Sequence, residues 1–123
     1  MSAHQKLLRG LRERSALCVG LDPDRELLPE IVRGDIATFL CAIVDATAHL
    51  ACAYKLNAAF FEALGKDGFV ALERVLRVIP PHALTIWDAK RGDIENSNRL
   101  YAHAAFKTWG ADAVTVHPYL GFE

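Results

Sequence analysis

The sequence predicts an α/β fold of parallel βα repeats, forming half of a (β/α)8 barrel, and three observations carry that reading. Short apolar runs alternate with helical patterns. The runs begin at residues 16, 51, 84 and 113, and their intervals of 35, 33 and 29 match a βαβ unit of about 30 residues. Strands joined by helical crossovers run parallel, which leaves an open α/β sheet or part of a closed barrel. Length separates the two. A full barrel needs about 250 residues, so about four βα units in 123 residues make half of one, read as a single partial domain over residues 1–123. Neither G-x-G-x-x-G nor G-x-x-x-x-G-K-[ST] occurs, so the nucleotide-binding motifs that would favour an open sheet are absent from the sequence.

The first strand is read over Ala16–Leu21. Asp35 then caps a helix whose Ile36, Phe39, Ile43, Ala46 and Leu50 recur at spacings of three and four, the pattern of a face packed on a sheet. The second strand follows over Ala51–Leu56. Ala58–Leu64 reads as a short helix stopped by Gly65, and Gly68 precedes a longer one with Phe69, Leu72, Val75, Leu76 and Ile79 in register, ended by Pro80-Pro81. After the third strand, Leu84–Trp87, Asn96 or Ser97 begins a helix with Tyr101, Ala104, Ala105 and Trp109 inward. Gly110 supplies its left-handed stop. The fourth strand is Ala113–His117. A half-sheet of this kind leaves its first and fourth strands with unpaired edges and its inward apolar face without an opposite wall.

Composition narrows the function. The chain is 52% hydrophobic and 24% charged, with 14 basic and 15 acidic residues and a net charge of −1. That excludes a disordered or low-complexity chain and offers no electrostatic footprint for nucleic acid or an anionic membrane. Cys18, Cys41 and Cys52 form no C-x-x-C pair and have no histidine at zinc-ligand spacing, so a disulfide scaffold and a structural zinc are both disfavoured and a reducing cytoplasm is expected. Met1–Arg14 interleaves charges with leucines and lacks the apolar core of a signal peptide. Phe39–Tyr54 is interrupted by Asp45 and His49 and is shorter than the roughly 20 residues of a membrane span.

The chemistry gathers in Trp87-Asp88-Ala89-Lys90-Arg91-Gly92-Asp93-Ile94. Alternation along a strand puts Ile86, Asp88 and Lys90 on one face and Trp87 and Ala89 on the other. Asp88 and Lys90 therefore point the same way, at the carboxyl end of a strand, where parallel βα folds build their sites. Gly92 is expected to let the chain turn so that Asp93 reaches back or across to a neighbour. The second strand ends in Tyr54-Lys55-Leu56-Asn57 and the first in Gly20-Leu21-Asp22, so three adjacent strands present charge at one end. Unpaired ions at the rim of a barrel cost several kcal/mol, and alternating Lys and Asp cancels that charge. His117 reads as a strand-end side chain. Phe60, Phe61, Phe69, Tyr101 and Trp109 fit helical core spacing, and Cys18 and Cys52 serve as small apolar strand residues.

Four segments together carry a resemblance: Gly20-Leu21-Asp22-Pro23-Asp24, Lys55-Leu56-Asn57-Ala58-Ala59-Phe60-Phe61-Glu62, Asp88-Ala89-Lys90-Arg91-Gly92-Asp93-Ile94, and Thr115-Val116-His117-Pro118-Tyr119-Leu120-Gly121. They resemble the orotidine-5′-phosphate decarboxylases of the longer bacterial subfamily, across essentially the whole chain. The D-x-K-x-x-D pattern alone is shared with sugar-phosphate decarboxylases of the same superfamily, which use magnesium. The D-x-K-R-G-D-I form with an upstream lysine is more selective.

The resemblance implies conversion of orotidine 5′-phosphate to uridine 5′-phosphate and carbon dioxide, in pyrimidine biosynthesis, with no metal or organic cofactor. Lys55, Asp88, Lys90 and Asp93 would form the catalytic array, with Asp93 reaching in from the partner subunit of a homodimer. Asp22 would hold a ribose hydroxyl, Ser97 would contact the ligand from the same partner, and Asn57 would add a hydrogen bond. The family pattern continues past Glu123 through four more βα units that carry the phosphate-binding loops. The isolated chain is therefore expected to be inactive without a complementary C-terminal half, the alternative being a non-catalytic fragment or interaction module.

Overall fold

A computed structural model describes residues 1–32 and 34–121. Four strands, β1 (Cys18–Gly20), β2 (Ala53–Asn57), β3 (Leu84–Arg91) and β4 (Ala113–Val116), form one parallel sheet in the order β1-β2-β3-β4. Each expected strand is present. The fold is the predicted parallel βα half of a barrel, and β1 and β4 are its two edges.

The helices are α1 (Ala3–Glu13), α2 (Ile36–Thr47), α3 (Ala58–Ala63), α4 (Gly65–Val78) and α5 (Glu95–His103), the last running into a wider π turn over Ala104–Thr108. On the helix-covered face of the sheet, Tyr54, Leu56, Trp87 and Ala89 are buried with Leu40, Val44, Phe61, Leu72 and Val75 in one apolar core. The Tyr54 hydroxyl is satisfied there by the Val44 carbonyl at 3.2 Å and lies 2.9 Å from the Thr47 hydroxyl. Trp109 stacks on Phe69 with centroids 5.9 Å apart. Gly110, at φ +67°, makes the left-handed turn into β4 that a residue with a Cβ adopts only with strain.

Several expectations need correction. Helix α4 begins at Gly65 with Gly68 inside it, and Phe69 is exposed. The buried seam of α2 is Ile36, Ala37, Leu40 and Val44, while Phe39 and Ile43 are half-buried and Ala46 and Leu50 are exposed. The helix is therefore rotated by about one residue: in a helix this rich in apolar residues the three-four spacing fits more than one face, and packing on β2 and α4 selects among them. Tyr101 is exposed and lies under the Arg91 guanidinium, 5.1 Å from ring centroid to Cζ, instead of in the core. Finally, α5 starts at Glu95 without a side-chain cap. Its entry is held by Asn98, whose amide accepts from the Asp93 N–H at 2.9 Å and donates to the Asp93 carbonyl.

The N-terminal segment, read from sequence only for its charge, is helix α1. Ser2 and Gln5 form a reciprocal capping box. Ala3 and Leu7 pack on Ala53 and Leu84, covering the lower part of the face opposite the main core. The fit is close at Gly10, where a Cβ would lie 2.9 Å from Cys52 Cβ. Lys6 anchors the helix to Asp112 at 2.6 Å, and Asp112 also accepts from the Thr85 N–H at 2.8 Å. The expected bare inner wall is thus plugged at its base, and its upper part is polar. Among the described residues no helix is long and apolar enough to cross a membrane.

Candidate active site

At the carboxyl ends of the strands, register brings the charged residues within reach: Gly20 pairs with Lys55, and Asn57 with Asp88, so Lys55 lies two residues below Asp88 on the neighbouring strand. Lys55 projects from the middle of β2 and donates to Asp88 Oδ2 at 3.1 Å and to Asp22 Oδ2 at 3.4 Å. Lys90 donates to Asp88 Oδ1 at 2.8 Å. Asp88, only 8% exposed, is thus an anion held between two ammonium groups, and its second partner on Oδ1 is the Thr115 hydroxyl at 2.7 Å.

These contacts set the protonation states. The Lys90 bond is the largest influence on Asp88; burial opposes it, bonds from Thr115 and Lys55 reinforce it, and the carboxyl falls from 3.8 to about 2. For Lys55 the largest influence is burial, which favours the neutral amine. The bonds to Asp88 and Asp22 together outweigh it and hold the group above its ordinary value. At neutral pH Asp88 is therefore an anion and Lys55 a cation, each held charged by its partners.

Lys90 reaches Asp88 by a different route from plain alternation. Trp87 pairs with Val114, but the next pair is Arg91 with Val116, so β3 spends four steps where β4 spends two. Such a bulge re-aims side chains beside functional sites. Lys90 takes φ +47° within it, the one non-glycine residue at positive φ among those described. Gly92, by contrast, has no positive φ. Its role is contact: a Cβ there would lie 2.6 Å from His117 Cε1 and 2.8 Å from the His117 carbonyl.

Of the residues singled out from sequence, Asp22, Lys55, Asp88 and Lys90 are bonded into one array. Asn57 joins through its main chain, whose N–H donates to Asp22 Oδ1 at 3.1 Å, while its side chain caps α3 through the Ala59 N–H. Asp93 stands apart: its carboxylate accepts from the Ile94 N–H at 2.7 Å and makes no bond to the array. Ser97 lies in the first turn of α5, away from it. Asp93 lines a cavity of about 540 Å³ beside β4, together with Asn98, Tyr101 and His117 among others. His117 Nδ1 is a buried ring nitrogen with no hydrogen-bond partner, and the ring stands off from the array, against Gly92 and Tyr119. Thr115 was missed as a site residue, although it opens one of the segments that carry the resemblance.

Residues 15–123 match the sequence profile described as orotidine 5′-phosphate decarboxylase / HUMPS family. The chain belongs to this family. It is 50% identical over 113 residues to the orotidine 5′-phosphate decarboxylase of Herpetosiphon aurantiacus, covering 89% of this chain and 42% of that protein. The Thermomicrobium roseum enzyme of the same name is 47% identical, covering 100% of this chain and 45% of the relative. Among solved structures, Leishmania donovani OMP decarboxylase superposes with a TM-score of 0.86 at 38% identity, over 98% of this chain and 46% of the other. Leishmania donovani UMP synthase gives 0.87 at 38% identity, over 98% and 26%. The chain thus spans less than half the length of each of these relatives.

Proposed function

We propose that this chain carries the Lys/Asp catalytic array of an orotidine-5′-phosphate decarboxylase and works when the rest of the barrel, with its phosphate-binding part, completes the site. The observation that carries this reading is the Lys55–Asp88–Lys90 chain of contacts, ending on Asp22. Decarboxylation breaks the bond between pyrimidine C6 and the carboxylate, leaving the electron pair on C6. An ammonium beside that carbon stabilises the developing carbanion and then protonates it; in this reading Lys90 does both and afterwards regains a proton from solvent.

Asp88 supplies the complementary effect. With its carboxyl held at about 2, it is anionic at neutral pH, and a substrate carboxylate about 4 Å away would be repelled by on the order of 4 kcal/mol at an effective dielectric near 20. That repulsion disappears as carbon dioxide leaves, and binding of the remote phosphate and ribose offsets it in the ground state. Lys55 keeps Asp88 and Asp22 in place, and Asp22 faces the ribose. Asp93 and Ser97, outside the array of their own chain, act on the site of a partner subunit in a homodimer.

Reconstitution tests this reading. The chain is mixed with the C-terminal part of the Roseiflexus castenholzii relative, to which it is 53% identical, and loss of orotidylate absorbance is followed. Turnover that disappears on Lys90→Ala supports the assignment. A complex that binds orotidine 5′-phosphate without converting it overturns it in favour of a non-catalytic module, and magnesium-dependent decarboxylation of a sugar phosphate instead of orotidylate points to the sister chemistry of the superfamily.

A further inference from the structure

We propose that Thr115 is a positioning residue that holds both the Asp88 carboxylate and the backbone of Lys90 in working geometry. The functional meaning of this inference rests on the decarboxylase reading; its structural content does not. The Thr115 hydroxyl lies 2.7 Å from Asp88 Oδ1 and 3.0 Å from the Lys90 nitrogen. The direction of each bond is forced, because an ionised carboxylate only accepts and a backbone N–H only donates. One hydroxyl therefore spends its single proton on Asp88 and a lone pair on Lys90.

The bulge explains why a hydroxyl is needed. Between the pairs Trp87–Val114 and Arg91–Val116, β4 contributes only Thr115 opposite three residues of β3. The ladder is interrupted there, and the Lys90 N–H finds the Thr115 side chain in place of a main-chain carbonyl. Lys90 also carries the positive φ of this chain's site, +47°. A non-glycine residue persists there only when its surroundings over-determine it. The Thr115 bond is one such constraint, and it is attached to the same carboxylate that receives the Lys90 ammonium.

Thr115→Val keeps the branched shape and removes the hydroxyl, Thr115→Ser keeps the hydroxyl, and Thr115→Ala serves as a second deletion should valine disturb the sheet. The chain alone, without substrate, reports the positioning role through carbon-detected titration of Asp88 and hydrogen exchange at the Lys90 amide. The expected result is a rise of roughly one unit in the Asp88 midpoint with faster exchange at Lys90 in the valine and alanine variants, both restored by serine. Folded valine and alanine variants with an unchanged Asp88 midpoint and unchanged Lys90 exchange overturn the proposal. In the reconstituted protein the same variants should lower kcat by about tenfold or more with little change in KM. Failure of the unsubstituted reconstituted protein to turn over would count against the decarboxylase reading alone, since the titration and exchange results are obtained without it.

Discussion

Replacing Asp88 with Asn removes the anion to which Lys55 and Lys90 both donate, and the pH dependence of the resulting loss measures what that anion contributes. In the folded chain the carboxyl is held at about 2, against an ordinary value of 3.8. That lowering corresponds to roughly 2 kcal/mol. The Lys90 side chain is 66% exposed, and solvent screening at that end reduces the figure to about 1–2 kcal/mol. The folded value lies below the unfolded one, so the stabilisation is present above pH 3.8 and is lost as pH falls through about 2. The loss on substitution stays below the roughly 3–5 kcal/mol of a broken buried pair, because Lys55 keeps Asp22 as a partner and Lys90 can turn to water. Urea unfolding of both proteins between about pH 6 and about pH 2 is the assay. The stability gap should hold level down to about pH 5 and then narrow by about 1–2 kcal/mol. A gap of constant size across that range refutes the reasoning, since the charge of Asp88 would then contribute nothing that protonation removes.

Two further outcomes follow from the same geometry. Gly92→Ala places a methyl 2.6 Å from the His117 ring and 2.8 Å from the His117 carbonyl, so it should destabilise the fold by about 1–3 kcal/mol. Adding His117→Ala relieves only the ring contact, so partial recovery is expected in denaturant unfolding, whereas purely additive losses would show that the two residues do not meet. Lys55→Met removes an ammonium held above its ordinary value by Asp88 and Asp22. The stabilisation it provides is complete below pH 10.5 and fades as pH rises beyond that. Thermal unfolding should show the two proteins converging at alkaline pH, and a difference that persists unchanged through the highest pH tested would contradict the assigned ion pairs.

The repeat of strand and helix is legible in sequence because it depends on local properties. Apolar runs end at glycine, proline or a capping side chain, and Asp35, Gly110 and the Pro80-Pro81 pair all mark the boundaries that the structure shows. Which face of a helix is buried is less legible when apolar residues surround it, as in α2, because the choice lies with the elements it packs against. Helix α1 offered no such uniformity: its charges and leucines read as a mixed segment, and its purpose, closing the base of the inner face, is visible only once Ala53 and Leu84 are seen beneath it.

The site divides along the same line. Asp88 and Lys90 lie two apart in one segment, so alternation could pair them, although the structure brings them together through the bulge, and Lys55 and Asp22 could be added because parallel strands end at one level. The bulge could not be read in this way, being a mismatch in step between β3 and β4 that neither strand displays alone. Its two consequences were hidden with it. Gly92 looked like the residue that turns the chain, yet the positive φ falls on Lys90 and the glycine is required by the His117 ring. Thr115 looked like an ordinary strand threonine, a residue type favoured in sheets for its branched shape alone. Only the two-to-four count of steps between Val114–Val116 and Trp87–Arg91 makes its hydroxyl the partner that the interrupted ladder lacks. A charge array can thus be recognised from residue types and spacing, while the neutral group that aims it emerges from the pairing of strands.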